Sequence, residues 1–472
     1  MFQLCKFSYF NLKLCAFLML TLFVLNNAQA QKPLRFSNNA TSNNAANLQQ
    51  NVYSYPKDKT SIISKVKGFG KDGLFTAKDK HIGYSLRLEN KLKEVKTGII
   101  VMQISSGSGA ALYKENHPFT IKKKGSYTKD YVFDAKQLQP GFYISSMSIS
   151  TDKYADTASY SFGFEPEKVY VKNNPPQTLV NFWNQAQQEL MATPANYILT
   201  PRPDLAKKDG DAYEVEFNST DKATIFGWLT VPKGNRKSPV LYKISDYMSE
   251  LAPEFRRDVA VLCINTRGTG SSTTNYNFAY NDLGLLNLKD KNKYVLKGIY
   301  LDAFRGLDLI HQFASKLKLD NRKVVITGSG LGASASVVLA ALNQSLKGII
   351  LESPTFMDIR NMMSFNDGML SSTFPASMYQ SFYNTGKNNK ETMLATLDFF
   401  DPLFFAPYIN CPVLTGFGLK NLNSPAQCVY NFISQLRIQK KDNHICKECG
   451  VALDKGFYGF KEMWLKEKFG QP

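Results

Sequence analysis

Histidine is scarce in this chain, with only four among 472 residues: His81, His117, His311 and His444. Any chemistry that needs an imidazole base must use one of these four. The chain also lacks a dense basic run with interleaved aromatic residues. Its net charge of +18 would favour anionic partners such as glycans, lipopolysaccharide or nucleic acid. Because the lysines are scattered, we interpret them as a solvated surface and predict no nucleic-acid partner.

Cysteine is also limited, and a second C-x-x-C motif is missing. Five cysteines follow the N-terminal leader described below: Cys263, Cys411, Cys428, Cys446 and Cys449. In an oxidising compartment an odd number leaves at least one thiol free. The pair Cys446 and Cys449 lies near His444 and could be half a zinc site or a local disulfide. Without a second C-x-x-C the disulfide is favoured, and neither a metal centre nor a cofactor is predicted.

The N-terminus has the pattern of a secretory signal peptide over residues 1–30. Lys6 and Lys13 supply the basic region, an apolar run extends from 14 to 25, and Ala28-Gln29-Ala30 is a small-residue cleavage signal. The apolar run is short for a membrane span, and no later segment resembles one. The protein is therefore expected to be secreted, or to lie in the periplasm or cell envelope.

The pattern of polar and apolar residues changes twice in the rest of the chain. Residues 31–61 are polar and predict a flexible lead-in. Residues 62–172 alternate like strands between turn residues, which predicts a small β-sandwich; within it, residues 138–143 resemble the edge of immunoglobulin-like modules. After an Asn-Asn-Pro-Pro linker at 173–176, strands and helices alternate through 173–472. This second pattern predicts an α/β domain with a mostly parallel sheet covered by helices.

The most informative motif is a strand, a glycine-rich turn and a small-residue helix within residues 324–342. It matches the G-x-S-x-G nucleophile elbow, in which a buried strand turns sharply into a helix and a strained middle residue presents the nucleophile. Here the middle residue is Gly330. We therefore predict a positive φ at Gly330 and backbone at Gly328 and Gly332 too close to neighbours for a Cβ. Because such a turn is built around serine, Gly330→Ser is expected to be tolerated.

Further motifs occur in a fixed order across residues 175–472. They are Phe226-Gly-Trp-Leu-Thr-Val-Pro232, Asn265-Thr-Arg-Gly-Thr-Gly-Ser-Ser272, Tyr300-Leu-Asp-Ala-Phe-Arg-Gly306, Glu352-Ser-Pro-Thr-Phe356, and Cys411-Pro-Val-Leu414 leading to Gly418-Leu-Lys-Asn421. Together they resemble the acetylxylan esterase and cephalosporin C deacetylase branch of the α/β-hydrolases. The resemblance implies an α/β-hydrolase sheet and, in the family, hydrolysis of carboxylic esters.

The resemblance places the catalytic triad at Gly330, Asn421 and Phe457. Gly330 stands at the serine position and has no hydroxyl. Asn421 stands at the acid position and lacks the charge that stabilises an imidazolium. Phe457, at the histidine position, has no proton to exchange. The resemblance therefore implies a degenerate triad.

The former oxyanion cleft is assigned by the same resemblance to Ser245, Asp246, Tyr247 and Leu331. Tyr247 keeps the family residue, whereas Asp246 would place negative charge near a developing oxyanion. Ser329 is the fallback nucleophile. An elbow aims adjacent side chains in different directions, however, so Ser329 is expected to be structural.

These residues predict a secreted acetylxylan-esterase-like pseudoenzyme that binds a carbohydrate or a cell-envelope protein partner, or serves as a scaffold. The alternative is an active carbohydrate esterase or deacetylase with a relocated nucleophile.

The spacing Gly328-x-Gly330-x-x-Ala333, with Glu352 after the next strand, also fits a loose dinucleotide-binding fingerprint. Its place deep in the domain argues against that interpretation. A cleft lined by Tyr247 and other aromatics favours glycan binding, whereas one filled by Phe457 favours a scaffold.

Overall fold

Two β-sheets form the N-terminal part of this computed structural model. The structure describes residues 62–68, 73–79, 81–106, 110–152, 154–169, 171, 174–273, 279–364, 373–386 and 388–470. The predicted signal peptide and lead-in lie outside this set. The strands are β1 (Ile62–Gly68), β2 (Leu74–Phe75), β3 (His81–Asn90), β4 (Lys96–Ser106), β5 (Ala111–Ile121), β6 (Ser126–Asp134), β7 (Gly141–Thr151) and β8 (Ala155–Phe164).

The two sheets have the orders β1-β3-β6 and β2-β8-β7-β4-β5. Alternate residues of β4, namely Ile100, Met102 and Ile104, are buried, as expected where one face of a strand meets a core. Residues of both sheets, including Leu86 of β3, join one hydrophobic cluster. The immunoglobulin-like assignment and the domain boundaries stay predictions.

The C-terminal part contains a nine-stranded sheet of order β17-β16-β15-β14-β12-β13-β11-β10-β9. Its neighbours from β13 through β17 pair in parallel, and those from β9 through β11 to β13 are antiparallel. The strands are β9 (Ile198–Pro201), β10 (Gly210–Asn218), β11 (Thr224–Pro232), β12 (Ser238–Ile244), β13 (Ala260–Asn265), β14 (Leu319–Ser329), β15 (Gly348–Glu352), β16 (Val413–Gly418) and β17 (Lys441–Cys446).

Helices cover both faces of this sheet. They are α1 (Leu179–Ala192), α2 (Tyr280–Leu283), α3 (Val295–Phe313), α4 (Gly330–Leu342), α5 (Ile359–Met362), α6 (Ala376–Asn384), α7 (Lys390–Leu397), α8 (Ala426–Gln435) and α9 (Lys455–Phe469). Successive residues of β14 point to opposite faces. Ile326 joins the cluster that contains α3 and α4, whereas Val325 joins the cluster that contains Trp464 of α9. The central strands are thus buried on both sides, as in parallel sheets generally.

The N-terminal sheets contact the C-terminal part beside α8. The Phe142 backbone N–H donates to Oε1 of Gln427 at 3.1 Å, and the Phe142 ring lies 5.7 Å from that of Tyr430. Lys420 Nζ lies 5.4 Å from the centre of the Tyr160 ring. Phe142 therefore belongs to the larger of the two cores that it borders. Among the described residues, no helix is long and apolar enough to cross a membrane.

Candidate functional site

The glycine-rich turn forms the predicted elbow. Strand β14 ends at Ser329, α4 begins at Gly330, and Gly330 has φ = +50°. A Cβ on Gly328 would lie 2.7 Å from the Ala333 nitrogen, and one on Gly332 would lie 2.7 Å from the Ser245 carbonyl oxygen. Real Cβ atoms do not come this close to backbone. The predicted positive φ and close approaches are confirmed.

Asp246 occupies the space beside the turn. A Cβ built on Gly330 would lie 2.5 Å from the Asp246 Cγ and closer still to its Oδ1. That oxygen accepts hydrogen bonds from the backbone N–H of Leu331 at 2.8 Å and of Tyr247 at 2.7 Å. The Ser329 hydroxyl hydrogen-bonds the same carboxylate. Gly330→Ser can therefore be tolerated only if the Asp246 carboxylate moves away from the turn.

The two N–H groups that bind Asp246 have a defined place in the fold. In α/β-hydrolases, the oxyanion hole is formed by the N–H after the nucleophile and an N–H from an earlier strand–helix loop. Leu331 and Tyr247 supply those groups here, and a carboxylate oxygen takes both. Burial raises the pKa of Asp246, while its hydrogen bonds to Leu331 and Tyr247 act in the opposite direction. A negative charge at this point repels the charge that an oxyanion would develop.

Asn421 lies on the segment after β16 and lines the same cavity as Gly330. Its Oδ1 accepts from the backbone N–H of Asn423 at 3.1 Å and of Ser424 at 3.2 Å. Its Nδ2 is buried and has no hydrogen-bond partner in the described part of the chain.

Phe457 is not brought to this cavity. It lies in the first turn of α9, fully buried in the cluster under the sheet, where its ring would meet a Cβ on Gly416. The cavity wall on this side is made by Val451 and Leu453, which precede the helix. The assignment of Phe457 to a cavity position is therefore corrected: its ring lies in the cluster under the sheet, and the next residue of α9, Tyr458, lines the cavity instead.

Of the remaining predicted residues, Ser329 lines the cavity, whereas Ser245 and the Leu331 side chain lie outside it and stabilise the surrounding structure. The Ser245 hydroxyl accepts from the Thr266 N–H at 3.1 Å and bonds Thr269 at 3.0 Å, so it secures the loop after β13. The side chain of Leu331 is buried, and its N–H is the part that faces Asp246.

The cavity measures about 310 Å³ and is open. Its aromatic wall comprises Tyr247, Tyr280, Phe374 and Tyr458. Ring centres lie 5.0 Å apart for Tyr247 and Tyr280, and 4.8 Å apart for Tyr247 and Phe374. The Tyr247 hydroxyl accepts from the Gly284 N–H at 2.8 Å, which fixes the ring. The cleft is thus lined by Tyr247 and other aromatics and is not filled by Phe457.

Polar groups complete the cavity. Glu352 lies on its wall, accepting from Lys461 Nζ at 2.6 Å and from the Thr327 hydroxyl at 3.2 Å. The Thr355 hydroxyl is buried without a partner among the described residues. Ser353 donates to the Val451 carbonyl at 2.9 Å and so ties β15 to the cavity wall. Sequence reasoning missed Thr355, although it lies in the Glu352-to-Phe356 motif that follows β15.

Comparison with known families settles the family of the chain. Residues 165–457 match the family described as acetyl xylan esterase (AXE1). The chain belongs to this family. The resemblance to acetylxylan esterases inferred from sequence motifs is therefore confirmed.

Individual relatives agree with the family. The curated "Acetyl esterase Axe7A" of Xylanibacter ruminicola is 24% identical over 308 residues, which cover 62% of this chain and 66% of that protein, just under two thirds of its length. Acetyl xylan esterase 1 of Thermoanaerobacterium sp. JW/SL YS485 has a TM-score of 0.56 and 19% identity, covering 64% of this chain and 97% of the other. The acetyl xylan esterase of Paenibacillus sp. R4 has a TM-score of 0.57 and 18% identity, covering 64% of this chain and 98% of the other. These structures support the α/β-hydrolase fold.

Proposed function

We propose that this family member does not hydrolyse esters and instead binds a neutral carbohydrate in the cavity at Gly330. The observation that carries the proposal is the position of Asp246. Its carboxylate takes the two N–H groups of the oxyanion hole and fills the space of a side chain at residue 330. Neither a serine nucleophile nor a bound oxyanion is compatible with that arrangement.

The lack of a base supports the same conclusion. No histidine lines the cavity within the described residues. His444, one of the four histidines of the chain, has its Nε2 at 2.9 Å from Oδ1 of Asp454, outside the cavity lining. A serine hydroxyl without an adjacent base stays protonated and is a weak nucleophile. Ser329 therefore has no imidazole to activate it; its hydroxyl bonds the Asp246 carboxylate, whose Oδ1 also accepts two backbone hydrogen bonds.

The lining of the cavity favours an uncharged polyol. Aromatic rings pack on the apolar faces of sugar rings, and Tyr280 and Phe374 offer such rings. Asn421 and Thr355 line the cavity, and their buried Nδ2 and hydroxyl, which no described residue pairs, need only a side-chain rotation to reach ligand oxygens. Asp246 would repel an anion but can accept from a sugar hydroxyl. A volume of about 310 Å³ is at the small end of ligand pockets. Because the relatives are acetyl xylan esterases, xylan fragments are the first ligands to test.

The test combines a hydrolysis assay with calorimetry. We expect no turnover of p-nitrophenyl acetate or acetylated xylo-oligosaccharides above background, and measurable binding of xylo-oligosaccharides. Asn421→Ala and Tyr280→Ala should each weaken binding about tenfold, which is the loss of roughly 1.4 kcal/mol. Tyr408→Ala is the matched control, because this tyrosine is similarly exposed and lies away from the cavity lining.

Two outcomes would contradict the proposal. Saturable turnover that disappears in Ser329→Ala would establish the alternative, an active esterase with a relocated nucleophile. Absence of binding to every neutral oligosaccharide, with an unchanged fold, would favour a scaffold or a protein partner. Secretion to the cell envelope remains part of the proposal and is tested by N-terminal sequencing of the exported protein.

A further inference from the structure

The C-terminal end of β17 carries a cluster of metal-ligating side chains that the cavity does not use. Cys446 ends the strand and forms a disulfide with Cys449. The two sulfurs and a carboxylate oxygen of Asp454 lie within 4.8 Å of one another. Within the described part of the chain, no other group of three or more such side chains meets this distance. His444 Nε2 lies 2.9 Å from Oδ1 of Asp454.

Backbone hydrogen bonds that do not involve the sulfurs hold these residues in place. The Leu419 N–H donates to the Cys446 carbonyl at 3.0 Å, and the Lys420 N–H donates to the Cys449 carbonyl at 3.0 Å. Asp454 caps the N-terminus of α9 by accepting from the Phe457 N–H at 2.8 Å. The positions of all three ligand-bearing residues are therefore fixed by the sheet, the adjacent loop and the helix.

The chemistry of the donors suits a thiophilic divalent cation. Zinc binds thiolates at about 2.3 Å in a tetrahedral arrangement, so two thiolate ligands lie roughly 3.8 Å apart. The Cα atoms of the cysteines are 5.3 Å apart. Rotation of the two side chains after the disulfide opens can separate the sulfurs by this amount without moving the backbone. Asp454 is close enough to supply a third ligand.

We propose that reduction of the Cys446–Cys449 disulfide creates a site for one Zn²⁺, bound by both thiolates and by the carboxylate of Asp454. A dithiol supplies two electrons and two protons and becomes a disulfide itself, leaving two thiols on this chain. Binding of the metal releases these two protons to solvent. His444 is a positioning residue, which holds the carboxylate through Nε2. Water completes the fourth coordination position.

The experiment uses the full chain and Co²⁺ as a probe. The protein is reduced with dithiothreitol, freed of reductant without oxygen, and titrated with Co²⁺. We expect one equivalent to bind, with a thiolate-to-cobalt charge-transfer band that Zn²⁺ abolishes. The oxidised protein should show no band. Cys449→Ser should lose the band, and Asp454→Asn should weaken binding at least about tenfold. Asparagine caps helices as well as aspartate does, so the latter variant keeps α9.

Controls separate this site from adventitious binding. Glu448→Gln removes a carboxylate from the same loop but outside the group, and should leave the affinity unchanged. His444→Gln can still donate to Asp454, so it should weaken binding less than His444→Ala does. If Cys449→Ser does not fold, Zn²⁺ should instead protect the reduced pair from iodoacetamide, read by mass spectrometry. No charge-transfer band in the reduced protein, no protection, or an affinity insensitive to Asp454→Asn would overturn the proposal.

Discussion

Replacing Gly332 with alanine tests the packing on which the elbow depends. A methyl group at this position would lie 2.7 Å from the Ser245 carbonyl oxygen and closer still to that of Ile244. A carbon atom normally stays roughly 3.3 Å or more from such an oxygen. Helix α4 would therefore have to move by at least roughly 0.6 Å from β12, in a part of the core that is buried on all sides.

The expected magnitude is the difference of two effects. Overpacking of a rigid core costs about 1–3 kcal/mol, and two backbone contacts place this site near the upper end. Alanine gains about 1 kcal/mol over glycine in a helix. We therefore expect Gly332→Ala to lower the free energy of unfolding by about 2 kcal/mol. Gly459 in α9 is the matched control, because a Cβ there meets nothing within 4 Å. Gly459→Ala should raise the free energy of unfolding by about 0.5–1 kcal/mol.

Urea unfolding followed by tryptophan fluorescence measures both variants. The three tryptophans, Trp183, Trp228 and Trp464, all lie in the C-terminal part, so the signal reports on the domain that contains the elbow. We expect Gly332→Ala to lower the free energy of unfolding and Gly459→Ala to raise it. If Gly332→Ala is as neutral or stabilising as Gly459→Ala, α4 does not approach β12 as described. The role assigned to Gly330 would then have to pass to Ser329.

Two further predictions concern pH and domain contact. Burial raises the pKa of Asp246, so the folded protein binds this proton more tightly than the unfolded chain does. The contribution of Asp246 to the stability of the wild type should therefore fall as pH rises from about 4 through the raised pKa, and Asp246→Asn should remove that contribution in urea titrations at several pH values. Asp401, whose pKa burial raises to about 7, contributes in the same direction in both proteins and cancels in the comparison; an Asn variant with the wild-type profile would contradict the argument. Proteolysis in the predicted linker at residues 173–176 should leave two fragments that co-elute on gel filtration, because Phe142 packs into the C-terminal core. Separation of the fragments would show that this contact is weak.

The sequence predicts the elbow because the relevant signal is local. The order strand, Gly328, Gly330, Gly332 and small-residue helix leaves few backbone conformations open. The position of Asp246 could be predicted only in part. The sequence indicates that a negative charge lies near the oxyanion position. The hydrogen bond between Asp246 and Leu331, however, joins residues 85 apart in the chain, and only the folded structure shows which side chain accepts that N–H.

Phe457 shows where sequence matching failed. It was placed in the cavity because it follows a glycine late in the domain. The pattern of α9 gives a better signal: Asp454 has the residue type of an N-cap, and Phe457, Lys461 and Trp464 recur at helical spacing. Those positions predict that Phe457 lies on the buried face of a helix. The cavity wall from this segment comes from Val451 and Leu453 before the helix and from Tyr458, the residue after Phe457.

The carboxylate of Asp246 also makes the order of evolutionary change matter. Serine introduced first at residue 330 meets a site that the Asp246 carboxylate occupies, so we expect that step to cost stability without a gain in activity. A small residue introduced first at 246 frees two N–H groups to bind water and leaves room for a later serine. The two positions are therefore epistatic, and the effect of either substitution depends on which residue the other already carries. Under the proposed function, one substitution at the elbow would therefore not restore ester hydrolysis while Asp246 keeps this position.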